Sequence, residues 1–192
     1  DGEGEHGVGD CSATDTVQKE AVDAIFDHGS ALCTGSGGAG KSHMIKDLRQ
    51  RYSAAGYRVD VIAFTHVQAA NADGHTVLHD MHRNVLCKKR VIIVDEGGQV
   101  PLRLWAVLAT LKFTGNRIIV FGDFAGQIGP IADQSRMELW KRVSTSDFMH
   151  DLCGGFKVKL AKFRRGGDYR HFSFVGSLYP APGEDEAVAL QE

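Results

Sequence analysis

Cysteine is scarce, with only Cys11, Cys33, Cys87 and Cys153 among 192 residues and no Cys-x-x-Cys pair. That scarcity excludes a disulfide scaffold and a four-thiolate zinc site, and makes reduced thiols the default. No apolar run approaches the roughly 20 residues that a membrane-crossing helix requires. The opening Asp1-Gly2-Glu3-Gly4-Glu5 also lacks the apolar core of a signal peptide. An intracellular chain without a membrane partner is therefore expected. An excess of either charge is missing too: 22 basic against 24 acidic side chains give −2, which excludes clamping of duplex DNA by the whole surface but leaves room for a local basic groove. There is no internal repeat. What remains, 43% hydrophobic and 24% charged residues, is an ordinary globular composition of one-domain length, neither disordered, collagen-like, mucin-like nor histone-like.

Residues 1–13 hold four glycines and few apolar groups, and read as a flexible lead-in. The chain begins at Asp1 rather than Met, which points to a processed, trimmed or fragmentary chain. Val17, Ala21, Ala24 and Ile25 predict a helix with Thr16 as N-cap and Gly29 as its stop. Ala31–Thr34 reads as a strand entering a glycine cluster, and the next helix carries Met44, Ile45, Leu48 and Tyr52 on one face and ends near Gly56. Val59–Phe64, Val91–Val94 and Ile118–Phe121 are short β-branched runs expected to be buried parallel strands, with Leu102–Leu111 as one of the intervening helices. Lys157–Leu160 reads as a further strand and Tyr169–Leu178 as a helix, before Pro180, Pro182 and acidic residues mark a linker or chain end over 181–192. Alternation of strand and helix predicts an α/β domain over 14–180, a parallel sheet flanked by helices. Ligands in such sheets bind at the carboxyl ends of the strands.

Gly35-Ser36-Gly37-Gly38-Ala39-Gly40-Lys41-Ser42 matches the phosphate-loop pattern G-x-x-x-x-G-K-[ST] in full, between a predicted strand and a predicted helix. Glycines let successive N–H groups wrap a polyphosphate, Lys41 reaches the β and γ phosphates, and the Ser42 hydroxyl ligates Mg²⁺. Lys41 is expected to stand exposed in this anion site with no structural partner. The competing plain reading, a glycine-rich helix entry that binds nothing, does not account for the complete match in this context.

Val91–Val94 delivers Asp95 and Glu96 at its carboxyl end. Asp95 is placed to hold Mg²⁺ and Glu96 to activate the attacking water, the division of labour that phosphoanhydride hydrolysis requires. Alone, such a pair would more simply cap a solvated strand end. The strand Val59–Phe64 lies between the loop and the acid pair, an order that suits ATP hydrolysis better than a small-molecule kinase.

Thr65, His66, Gln68, Asn71 and His75 are short polar donors beyond a strand end, suited to the phosphates and sugars of a single strand. Phe64 could stack on a base or simply close the core. His75, His79 and His82, with Cys87 nearby, have helical spacing for zinc, against which stands the lack of an acidic second shell. Lys88-Lys89-Arg90 reads as a solvated turn that could carry DNA.

Taken in order, Gly35–Ser42, Phe64-Thr65-His66-Val67-Gln68-Ala69-Ala70, Gly74-His75-Thr76 with His79, Asp95-Glu96, and Gly122-Asp123 with Gln127 resemble motifs I, Ia, Ib, II and III of superfamily 1 DNA helicases of the Pif1/RecD-like branch. The resemblance implies a RecA-like fold of the P-loop NTPase class, ATP and Mg²⁺ as cofactors, and single-stranded DNA, or RNA, as partner. It also implies that Gln18 reads adenine, that Gln127 senses the γ-phosphate, and that Thr76 and His79 line the single-strand path. Leu160-Ala161-Lys162-Phe163-Arg164-Arg165 is similar to motif IV, whose arginine would be Arg164 in preference to Arg165, although a plain basic surface also fits. Two departures stand out: three residues separate Asp123 from Gln127 where the family has two, and Gly129 replaces a common second proline. Nothing before Glu192 resembles motifs V and VI, so the chain is expected to supply only the first of two RecA-like domains. A P-loop phosphotransferase lacks its arginine-bearing lid here. A nucleotide-binding module without hydrolysis is the other alternative.

Overall fold

The computed structural model describes residues 12–63, 75–76, 90–126, 129–130, 133, 135 and 137–160. The lead-in up to residue 11 and the predicted helix Tyr169–Leu178 lie outside the described residues. Six strands form one sheet: β1 (Ala31–Gly35), β2 (Arg58–Ala63), β3 (His75–Thr76), β4 (Arg90–Val94), β5 (Arg117–Gly122) and β6 (Lys157–Leu160), in the order β3-β2-β4-β5-β1-β6 with every neighbouring pair parallel.

Parallel strands covered on both faces need apolar side chains of both parities. In β4, Val91 and Ile93 join one core cluster while Ile92 and Val94 join the other, and β5 divides Ile119 and Phe121 from Ile118 and Val120 in the same way. One face is covered by α1 (Ser12–His28) and α2 (Lys41–Ala54) through Ala21, Val22, Ile25, Met44, Ile45, Leu48 and Tyr52. The other is covered by α3 (Leu102–Phe113) through Leu104, Trp105, Leu108 and Leu111, and by the short α5 (Asp147–Leu152), which follows α4 (Met137–Lys141). Burying each Val, Leu, Ile and Met side chain among these stabilises the domain by about 1.5–3 kcal/mol.

Several sequence expectations are corrected. Thr16 lies inside α1 rather than capping it, and Val17 is 57% exposed. The buried stripe is Gln18, Ala21, Val22 and Ile25, rotated because a polar residue, Gln18, faces inward. The strand between the loop strand and the acid strand is β5, not β2, which pairs beyond β4. Arg90 is no solvated turn residue: it is fully buried, its Nε donates to Asp60 Oδ2 at 2.5 Å, and Arg58 Nε stands 3.1 Å from the same oxygen. This ion pair sits at the amino ends of β2 and β4, in register at Arg58 and Arg90, opposite the end where ligands bind. Lys88 and Lys89 lie outside the described residues.

Candidate functional site

Residues 36–40 join the carboxyl end of β1 to the amino end of α2. Gly40 holds φ 91°, a left-handed conformation that an L side chain resists, and leads directly into the first helical N–H groups. At the other end of the loop, a Cβ on Gly35 would stand 2.9 Å from Leu160 Cβ, so β6 presses against the loop's start. Lys41 departs from expectation. It is 8% exposed, and its ammonium donates to Gly35 O at 2.6 Å and Ser36 O at 3.0 Å, which draws the loop into a ring. Ser42 follows in the first turn of α2 with its side chain exposed.

Gln18 is 7% exposed and its Nε2 donates to Gly40 O at 3.4 Å, so the amide of α1 touches the loop. It also lines a groove of about 510 Å³ between α1 and α2, with His43, Asp47 and Arg51 on the α2 side.

β4 carries the acid pair. The Asp95 N–H still donates to Ile62 O at 2.9 Å, which continues the ladder to β2. Asp95 Oδ1 accepts from the Glu96 N–H at 2.9 Å. Burial, and then the charge of Glu96, raise the Asp95 carboxyl above its ordinary value, while the Glu96 N–H and the Lys41 charge pull it down without cancelling the rise. Asp95 is therefore a half-buried carboxylate whose negative charge is only partly compensated by its neighbours. Glu96 has φ 52° and ψ 44°, and is the one non-glycine residue with positive φ among those described. That geometry costs roughly 1–2 kcal/mol, and ends the strand abruptly ahead of the 3₁₀ turn Gly97–Gln99.

At the end of β5, Asp123 is 4% exposed and its Oδ1 accepts from the Gly126 N–H at 2.8 Å. This closes a turn over the three residues that separate it from position 127. Asp133 then accepts from the Leu102 N–H at 2.8 Å, capping α3 with a carboxylate 31 positions away. The first tie has a local signal, Asp followed three positions later by Gly; the second, from 31 positions away, has none.

The loop, Gln18 and the Asp95-Glu96 pair are therefore brought to one edge of the sheet, the carboxyl end, with β5 between β1 and β4. Gln127, Arg164, Arg165, Phe64, Thr65, His66 and His79 lie outside the described residues, as do His82 and Cys87 of the zinc alternative. Of His75 and Thr76 the backbone is placed, paired with Ile62 and Ala63. Among the described residues no group of three metal-ligating side chains forms, and no helix is long and apolar enough to cross a membrane.

A family model described as an AAA domain matches residues 13–140. The ATP-dependent DNA helicase PIF1 of Trypanosoma brucei brucei is 31% identical over 116 residues, covering 50% of this chain and 12% of the relative. Among solved structures, Pif1 helicase from Candida albicans aligns at 24% identity and TM-score 0.65 over 84% of this chain and 43% of its own. Bacteroides sp Pif1 in complex with ADP-AlF4 aligns at 20% identity and TM-score 0.63 over 84% of this chain and 45% of its own. These likenesses establish a RecA-like α/β fold of the P-loop NTPase class. The chain spans less than half the length of each of these relatives.

Proposed function

Because this chain belongs to the AAA domain family, its model matching residues 13–140, we propose that it is the ATP-hydrolysing motor domain of a Pif1-like DNA helicase. The observation that carries this reading is the placement of a complete phosphate loop and an Asp-Glu pair on one sheet edge, with a strand interposed between them. With β5 interposed, the loop and the acids stand two strand spacings apart along one sheet edge, the separation across which a γ-phosphate and an attacking water would sit. The domain extends over 14–180, works intracellularly, and acts with a second RecA-like domain.

In this reading the N–H groups of residues 37–42 and the amino end of α2 hold the β and γ phosphates, and Lys41 leaves the Gly35 and Ser36 carbonyls to bind them. Gln18 holds the adenine in the groove beside α2. Ser42 and Asp95 would be oxygen donors for Mg²⁺, which would neutralise phosphate charge when bound. Glu96 takes a proton from the water that attacks the γ-phosphorus, and the bond to the ADP oxygen breaks in line. Gln127 senses the γ-phosphate and Arg164 stabilises its developing charge. Single-stranded DNA runs past Phe64, Thr65, His66, Thr76 and His79, which in sequence lie at or just beyond the ends of β2 and β3.

Glu96→Gln should keep Mg-ATP affinity and lose hydrolysis, because the amide keeps the shape without the base. Nucleotide titration beside phosphate release, with and without single-stranded DNA, checks this. Affinity that collapses in Glu96→Gln would make Glu96 structural, phosphate transfer to a metabolite would support the phosphotransferase, and binding without turnover the passive module.

A further inference from the structure

We propose that Phe124 is a positioning residue for Glu96, acting as an apolar wedge between the two strand-end turns. The inference rests on the reading of Glu96 as the base and adds to it the group that fixes the carboxylate's direction. β4 and β5 are neighbours whose carboxyl ends carry Asp95-Glu96 and Gly122-Asp123. Between these ends the backbones approach closely: a Cβ on Gly97 would stand 2.8 Å from Val120 Cγ1, and one on Gly122 would stand 3.0 Å from the Gly98 nitrogen. One ring borders both glycines. The Cβ of Gly97 would be 3.3 Å from Phe124 Cζ, and that of Gly122 would be 2.8 Å from Phe124 Cε2.

The wedge is anchored on two sides. Half-buried Phe124 packs with Leu102 against the core beneath α3, and its backbone belongs to the turn that Asp123 closes onto the Gly126 N–H at 2.8 Å. Next in sequence to Gly97 is a residue with strained backbone, because Glu96 is left-handed and not glycine. Such a conformation persists only where its surroundings over-determine it. The Gln99 N–H to Glu96 O bond at 2.9 Å fixes the turn internally, and the Phe124 ring, seated beside both the Gly97 and Gly122 backbones, holds that turn from the β5 side. Without the ring, Glu96 relaxes toward ordinary backbone geometry and its carboxylate swings away from the attacking water. Nucleotide binding, which belongs to the β1–α2 loop, is left untouched.

Phe124→Leu removes the ring atoms above the two glycines but keeps an apolar body against α3, whereas Phe124→Ala removes both. Single-turnover hydrolysis by the 192-residue chain should fall in the order Phe, Leu, Ala, the alanine variant approaching the roughly 10²-fold loss that an ångström-scale misplacement causes. Affinity for a fluorescent ADP should stay at the parental value in both. A purely structural ring would instead lower the melting temperature and leave the single-turnover rate of the folded protein alone, and parental rates in both variants overturn the proposal. Should Phe124→Ala fail to fold, Phe124→Leu decides by itself. Glu96→Gln is run alongside: if it is inert while both Phe124 variants hydrolyse normally, the wedge alone fails. If it hydrolyses at the parental rate, the reading of the acid pair fails and the wedge with it.

Discussion

At the scale of single residues, the site stores charge in places that stability alone would not select. Lys41 is buried against two carbonyls of its own loop, so its amino group already spans the ring in which phosphate oxygens would sit. Lys41→Ala should therefore abolish tight Mg-ATP binding with little change in fold, since the loop remains fixed by Gly40 and by the packing of Gly35 on β6. Equilibrium dialysis and circular dichroism on the same sample check both halves. Asp95 gives a second prediction, whose sign follows from its raised carboxyl. A carboxyl that binds its proton more tightly when folded penalises the folded state once ionised. The penalty is absent below the unfolded value of about 3.9 and complete above the folded value. Asp95→Asn should therefore raise the nucleotide-free melting temperature at neutral pH, and the gain should vanish as pH falls through that window. Melting curves of parent and variant across pH read it directly, and a gain that grows toward acid would reverse the assigned sign.

At the scale of elements, what could be read from the sequence depended on whether a segment's neighbours resembled solvent or core. The runs Val91–Val94 and Ile118–Phe121 became strands because β-branched side chains of both parities found apolar cover, whereas Lys157–Leu160 is an edge strand that buries only Val158. Met44, Ile45, Leu48 and Tyr52 all proved buried for the equivalent reason on a helix. Two polar residues broke the pattern. Gln18 turned α1 by facing the loop, and Arg90 was drawn inside by Asp60, a carboxylate 30 positions upstream that no local rule pairs with it. The phosphate loop and acid pair were legible because their chemistry is written in contiguous residues. The left-handed turn at Glu96 was not, since no glycine marks it, nor was the carboxylate cap from Asp133, which comes from 31 positions away. The Asp60 site yields a test of burial. Arg90→Met leaves a buried carboxylate short of its fully buried partner and should cost about 3–5 kcal/mol. Arg58→Met removes the partner whose side chain is 46% exposed, and should cost only about 0–1 kcal/mol. Urea denaturation of the two variants compares them, and replacing Arg90 and Asp60 together by Met and Leu should recover most of the larger loss.

At the scale of the whole molecule, one sheet edge holds the loop, the acid pair and the Asp123 turn, while the chain spans less than half of each relative. Unwinding requires ATP-driven closure between two domains, so that a distant hydrolysis event becomes relative movement along the strand. A trans-acting arginine adds roughly 10³ to 10⁵ to turnover in phosphoryl-transfer enzymes of this class. Arg164 and Arg165 are the arginines within residues 1–192 that resemble such a group, and a single RecA-like sheet has no partner surface against which to close. Residues 1–192 alone should therefore hydrolyse ATP slowly, respond weakly to single-stranded DNA and leave duplex DNA paired. Joining them to a second RecA-like domain should raise DNA-stimulated hydrolysis by orders of magnitude. A gel assay of forked duplex with and without ATP reads the unwinding step, and robust strand separation by the 192-residue chain would show that one such domain is enough.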